Sequence, residues 1–281
     1  MFFYCLITTI FLLNNSYNIV FDGGYMEKLL FKDLKIEFER IYKMGWIKSV
    51  NDNYNGVGLT FEKLLGKEVD DFSYPDYNGV EIKTQRINSD YPITLFGLAP
   101  WGINVSQMDY LRRKFGYFDY DDDDCKKLNA EFYSSKNILI CNRYFFNLEV
   151  NREEEKIQLI IRDINYNVLN DSTFWFFDDI REKLRYKLNF LAFVHAKSKK
   201  QNGEEYFKYF KIEFYILKNF DLFLKLIEQN VISVSFTSAP IKYGPSIGKY
   251  KTSCYFRIGK FDLNKLFDLY DELNFYDANH Y

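Results

Sequence analysis

The sequence predicts a mixed α/β protein, and three observations carry that expectation. Segments with apolar residues at helical spacing alternate along the chain with short extended runs. Aromatic residues are abundant, 24 Tyr and 29 Phe among 281 residues, and such side chains suit pleated, half-buried sheet surfaces. Asn78-Gly79 lies between two short extended runs, the strongest local signal for a two-residue β-hairpin, because both turn positions favour φ > 0. A chain of this length buries a sizeable core in one large domain or two smaller ones.

Taken in order, Phe2 to Leu13 is apolar but too short to span a bilayer comfortably. It lacks the positive leader and small-residue cleavage site of a signal peptide. The codons for Asp22-Gly23-Gly24-Tyr25, just ahead of Met26, can contain a GGAGG-like ribosome-binding sequence. Residues 1–25 are therefore expected to be a non-native upstream extension, with translation starting at Met26. N-terminal sequencing of the native protein checks this, and a mature terminus before Met26 would end the idea. Leu30, Leu34, Phe38, Ile41 and Tyr42 then recur at helical spacing, with Ile36 off the stripe, predicting an amphipathic helix that ends near Met44-Gly45. Gly56 to Gly66 reads as a glycine turn feeding a short helix; two glycines ahead of a helix can offer backbone N–H groups to a phosphate.

After the hairpin, strands are expected at Ile93–Phe96, Asn137–Asn142, Tyr144–Val150 and Lys156–Arg162, with a helix at 105–116 and an acidic loop at 119–124. Trp175–Lys187 reads as a helix, Leu188–Ala196 and Tyr206–Ile216 as long strands around a loop carrying Asn202-Gly203. A helix at Asp221–Gln229, strands at Val231–Phe236 and Cys254–Ile258, and a last helix at Asp262–Leu273 complete the chain. The loop from Lys242 to Lys251, with Lys242, Lys249 and Lys251, is either an ordinary surface loop or one that orders on a polyanion.

The hairpin register has chemical consequences. With Asn78 and Gly79 as the loop, Tyr77 faces Val80 and Asp76 faces Glu81, with Cβ atoms roughly 5 Å apart on one face. Alternation puts Lys83 on that face and sends Ile82 to the other. Two carboxylates so close need a cation between them or a shared proton. A hard divalent ion such as Mg²⁺ takes one or two carboxylates plus waters and phosphate oxygens, and the Lys83 ammonium can hold a water or balance phosphate charge. The local geometry thus proposes a metal-dependent phosphodiesterase centre. The alternative is a surface Glu-Lys pair kept for solubility, as Glu154-Glu155-Lys156 reads in its charge run. Glu62, on the short helix, is either a surface residue or a third acid near the hairpin.

Formal net charge is −2, so the chain as a whole does not announce a nucleic-acid binder. Between Arg181 and Lys265, however, 17 Lys/Arg face 7 Asp/Glu, a local excess that fits a protein gripping a polyanion with one part and cutting with another. The cysteines (Cys5, Cys125, Cys141, Cys254) are far apart, and the chain has two histidines. That disfavours a zinc site or disulfide framework and points to reduced thiols in the cytoplasm.

Gly56-Val57-Gly58-Leu59-Thr60-Phe61-Glu62-x-Leu64-Leu65-Gly66, then Pro75-Asp76-Tyr77-x-Gly79-Val80-Glu81-Ile82-Lys83-Thr84-x-Arg86, then Ile93-Thr94-Leu95-Phe96, resembles the MvaI/BcnI restriction endonuclease family. That family belongs to the PD-(D/E)xK nucleases and is related to MutH-type nicking enzymes. The resemblance spans about forty residues and continues more weakly through Asn202-Gly203-x-Glu205-x-Phe207 and Phe256-Arg257-Ile258. It implies a restriction-endonuclease-like α/β (α+β) core, a mixed sheet flanked by helices, with a recognition lobe completing a DNA cleft. The expected division is a catalytic lobe at 26–165 and a basic DNA-recognition lobe at 166–281.

By the same resemblance Asp76 and Glu81 are the metal-binding carboxylates, Lys83 the catalytic lysine and Glu62 the extra helix acid. Gly56 and Gly58 let the backbone approach DNA, and Arg257 matches an arginine that reads base edges; Arg86, in the matched segment, and the lysines of the 242–251 loop, read from their charge, are further candidate DNA contacts. Members with CC(N)GG-type sites carry a His-Asp-His run a few residues before that arginine. Here that stretch is about Tyr250-Lys251-Thr252, so their recognition sequence does not transfer. The implied activity is Mg²⁺-dependent cleavage of double-stranded DNA at a short site, leaving a 5′-phosphate, by a cytoplasmic monomer paired with a cognate methyltransferase and no membrane. Rival readings are a MutH-like nicking enzyme, a catalytically silent DNA-binding relative, and an exported or membrane-attached protein.

Overall fold

The computed structural model describes residues 23–51, 53–66, 74–104, 106–119, 122–241, 245 and 249–276. In chain order the elements are α1 (Gly23–Lys43), β1 (Ile47–Lys48), α2 (Gly56–Leu64), β2 (Glu81–Arg86), β3 (Ile93–Gly97) and α3 (Gln107–Phe115). There follow β4 (Tyr117–Asp119), β5 (Asp122–Lys127), β6 (Ala130–Phe132), β7 (Ile138–Ile140), β8 (Tyr144–Asn151), β9 (Lys156–Asp163) and β10 (Val168–Phe176). The chain continues with α4 (Phe177–Lys187), β11 (Phe190–Gln201), β12 (Glu204–Leu217), α5 (Phe220–Glu228), β13 (Ile232–Pro240), β14 (Tyr250–Ile258), α6 (Leu263–Leu266) and β15 (Phe267–Asn274). Among the described residues no helix is long and apolar enough to cross a membrane. The apolar run at the N-terminus lies outside the described residues, while Gly23–Tyr25 open α1.

Two compact units divide the chain discontinuously. The first takes in 1–89, 187–216 and 269–281. Its sheet runs β1-β12-β11-β2, with β15 also on β12. The β11–β2 pairing is parallel and the β11–β12 and β1–β12 pairings antiparallel, so the sheet is mixed, as expected. α1 covers one face. Phe31, Leu34, Phe38 and Ile41 are fully buried in one cluster with Ala192, Val194, Phe207, Ile212 and Phe214, while Ile36, off the stripe, is exposed. The stripe works because residues three and four apart share one helical face.

The second unit takes in 90–186 and 217–268. It holds the sheets β10-β9-β8-β7 and β3-β14-β13-β6 and the pair β4-β5. Trp175 is fully buried against Phe236 and Phe256.

Three expectations are corrected here. Trp175 does not open a helix. It pairs with Ile157 at the end of β10, a strand the sequence reading lacked, and α4 begins two residues later. The 119–124 loop is partly strand, since β5 pairs with β4. The expected helix at 262–273 lasts one turn and gives way to β15, because pairing on the edge of β12 and burial of Phe267 outweigh helical periodicity. Asp271 and Glu272 of that strand are held by Lys35 and Lys211.

Candidate active site

The bend forms as its two residues dictate. Asn78 and Gly79 have φ of 46° and 88°, and Tyr77 and Val80 exchange both backbone hydrogen bonds, at 3.0 and 2.8 Å. The ladder stops at that bridge. Asp76 is therefore not fixed by strand pairing opposite Glu81; its Oδ2 instead accepts the Ile82 N–H at 3.0 Å. Ile82 is buried in the α1 core, and alternation turns Glu81 and Lys83 to the other face of β2.

Glu81 is the most constrained group in the site. It is 1% exposed, and its Oε1 accepts from Lys83 Nζ at 2.6 Å. Lys187 Nζ, from the last residue of α4, lies 3.4 Å from the same oxygen. The other oxygen, Oε2, is buried and has no hydrogen-bond partner. A buried carboxylate oxygen left bare costs desolvation energy with nothing to offset it. Burial is the largest influence on this carboxyl and pushes its pKa up; the Asp76 charge adds to the rise, and Lys83 and Lys187 oppose it.

The chemistry of this donor set fits a hard divalent cation. The Asp76 charge is close enough to raise the Glu81 pKa, and Glu81 keeps one bare, buried oxygen. Among the described residues no group of three or more His, Cys, Asp and Glu forms a metal cage. Such a pair suits an ion that keeps most of its waters rather than one fully enclosed by protein.

α2 lies beside β2. A Cβ on Gly58 would sit 3.2 Å from Thr84 Oγ1 and 3.6 Å from Glu62 Oε1, which puts the Glu62 carboxylate over the same glycine that faces β2. A Cβ on Gly56 would fall 2.5 Å from Ser49 Oγ, so that glycine is required by packing on the preceding turn. Tyr209, fully buried on β12, donates to the Val57 carbonyl at 2.8 Å and ties α2 to the sheet. Tyr209→Phe is expected to lower stability by about 0.5–1.5 kcal/mol, the usual net worth of one buried hydrogen bond. Chemical denaturation measures it, and an unchanged midpoint would contradict this role.

The remaining candidates are dispersed. Arg86 forms a two-pronged pair with Glu205, at 2.9 and 2.7 Å, and donates to the Tyr54 carbonyl. Arg257, Lys249 and Lys251 lie in the second unit; both lysines are exposed, and Arg257 has a buried, unpartnered Nε. Lys242 lies outside the described residues. Glu154 and Glu155 are exposed and Lys156 pairs with Glu154, as the surface reading of that run expected. Lys187 is the residue the sequence reading missed. A lysine closing a helix carries no local mark of a partner on a distant strand.

The family model for the MvaI/BcnI restriction endonuclease family matches residues 36–267. Among solved structures, one described as a restriction endonuclease MvaI–cognate DNA substrate complex aligns at a TM-score of 0.78 and 25% identity, covering 85% of this chain and 96% of that one. A second, MvaI in the absence of DNA, aligns at 0.55 and 24% identity, covering 87% and 97%. A search of curated proteins finds no match.

Proposed function

The chain belongs to the MvaI/BcnI restriction endonuclease family, and from that premise we propose that it is a type II-like restriction endonuclease, hydrolysing phosphodiester bonds of double-stranded DNA at a short specific site to leave a 5′-phosphate. The observation that carries this reading is the bare, buried Oε2 of Glu81, beside Asp76 and behind two lysines. One or two Mg²⁺ ions, held by Asp76 and Glu81, would polarise the scissile phosphate and make a bound water more acidic. The Ile82 N–H orients the Asp76 carboxylate. Lys83, which holds Glu81 at rest, would orient the attacking water, while Lys187 would balance Glu81 when Lys83 turns away. Glu62, the helix acid that the family resemblance adds, would accept a hydrogen bond from a water bound in the site. Arg257, with an unpaired guanidinium nitrogen, reads a base edge, and Lys249 and Lys251 contact phosphates. The reading extends to a monomer acting in the cytoplasm beside a cognate methyltransferase.

Purified protein incubated with supercoiled plasmid and Mg²⁺ is expected to give discrete linear fragments, and none with chelator. Accumulating open circles would place it with strand-nicking relatives, and intact genomic DNA across many sequences would contradict a nuclease.

The raised Glu81 pKa sets the pH dependence. A carboxyl whose folded pKa exceeds its unfolded one favours folding most below the unfolded value and loses that contribution as pH rises through the folded value. Activity runs the other way, since only the carboxylate holds a cation. Cleavage is expected to fall with acid at a pH above the ordinary glutamate range, and that limb should move down as Mg²⁺ is raised, because cation and proton compete. Rate–pH profiles at two Mg²⁺ concentrations measure this. A limb indifferent to Mg²⁺ contradicts it.

A further inference from the structure

Resting on the nuclease reading, we propose that Glu131 is a specificity-determining residue, its carboxylate accepting the N4 amino hydrogen of a cytosine in the same short site as the base read by Arg257. The two residues share one face of the β3-β14-β13-β6 sheet. Arg257 pairs with Ser233, and Tyr255 pairs with Ser235, which pairs in turn with Glu131. Opposed residues lie on one face, and so do residues two apart along a strand. The alternate residues Phe132, Val234, Phe236 and Phe256 are buried on the other face.

Opposite charges on one sheet face ordinarily pair across strands, and here they do not. Arg257 has a buried Nε with no hydrogen-bond partner. Its guanidinium lies 5.7 Å from the centre of the Tyr255 ring, a contact that positions a cation without neutralising it. Between the two charges stand Ser233 and Ser235, both buried. Glu131 Oε1 accepts from Ser233 Oγ at 2.5 Å. Tyr133, two residues along, adjoins the same carboxylate. Burial raises the Tyr133 pKa and the Glu131 charge adds to the rise, so the phenol keeps its proton and serves as a donor. Among the described residues, hydroxyls rather than a cation hold this acid. An ionised carboxylate has about four acceptor sites, so these contacts orient it and leave capacity for a ligand. The face therefore presents a fixed donor and a fixed acceptor, the two elements of a major-groove code. A carboxylate only accepts. Guanine and thymine present acceptors in that groove, adenine sets its N7 acceptor beside N6, and cytosine alone offers an amino group with no acceptor of its own beside it. Two strand spacings separate β14 from β6, about 10 Å or about three base-pair steps, so both contacts fall within one short site.

The test is selection from a duplex library with a randomised central stretch, bound in Ca²⁺ by wild type and by variants and then sequenced. Wild type is expected to select a cytosine close to the guanine taken by Arg257. Glu131→Gln, whose amide reads adenine through N6 and N7, should turn that one position from cytosine to adenine and leave the others as they were. Glu131→Ala should lose about 10- to 100-fold of the cytosine preference there, the usual discrimination at one base pair. Ser233→Ala, by freeing the carboxylate, should weaken the same preference in part, whereas Arg257→Ala should relax a guanine position instead. Glu131→Gln is isosteric and keeps an acceptor for Ser233, so loss of fold does not imitate the switch. A cytosine preference untouched by Glu131→Gln overturns the proposal, as does a uniform loss of affinity across all sequences, which a merely structural residue would give. Absence of cytosine from the wild-type selection overturns it as well. If wild type selects a site but leaves plasmid containing it uncut in Mg²⁺, the nuclease reading fails while the base contact stands.

Discussion

Lys83→Ala is expected to lower cleavage on the order of 10²- to 10⁴-fold, the usual contribution of a positioned proton-transfer group, while leaving duplex binding nearly intact. The lysine sits one pleat from Glu81 on the same face, with its Nζ 2.6 Å from Oε1. It is 22% exposed whereas the carboxylate is 1% exposed, so the amine can swing toward solvent and substrate while the acid cannot. Removing it takes away the proposed water-orienting group and one of two charges that oppose the burial of Glu81. Single-turnover cleavage beside an equilibrium binding curve separates the two effects. A variant that cuts within about tenfold of wild type would remove Lys83 from the chemistry.

The second large effect belongs to Lys187. When Lys83 engages a water, Glu81 must stay ionised in a buried place, and Lys187 is the other cation on its Oε1. Lys187→Ala is expected to lower turnover by about 10- to 100-fold, the usual cost of losing a group that supports a metal-binding side chain. Turnover should fall more than substrate affinity. The acid limb of the pH profile should also move further up, because one of the influences lowering the Glu81 pKa is gone. Lys187→Arg should retain most activity. The double variant with Lys83→Ala should lose less than the product of the single losses, since the two lysines serve one step. Additive losses with an unmoved pH profile would reduce Lys187 to a structural residue.

Much of this site was legible in the sequence because its determinants are local. Asn78-Gly79 specifies a bend through its backbone conformations, and a period of two places Glu81 and Lys83 on one face and Ile82 in the core. The α1 stripe was legible for the same reason, although fully buried Phe31 was not in it. What was not legible depends on chain segments far apart in sequence. The parallel pairing of β2 with β11 follows from topology. So does the arrival of Lys187 at Glu81. β15 was misread because Leu263 and Leu266 have helical spacing while the residues after them satisfy a sheet edge. Asp76 was placed in the right neighbourhood by the wrong device, a ladder that ends one residue too early and a backbone N–H that takes its place.

On the proposed mechanism, Asp76 and Glu81 together receive a divalent cation. Crystals grown with Mn²⁺, in the presence of a duplex the protein binds, test it through anomalous scattering. A peak beside the Asp76 and Glu81 carboxylates is expected, abolished in Asp76→Asn and kept in Lys83→Ala. A metal bound elsewhere in the first unit, or a site with Glu81 Oε2 turned to a protein donor and no ion beside it, would contradict it.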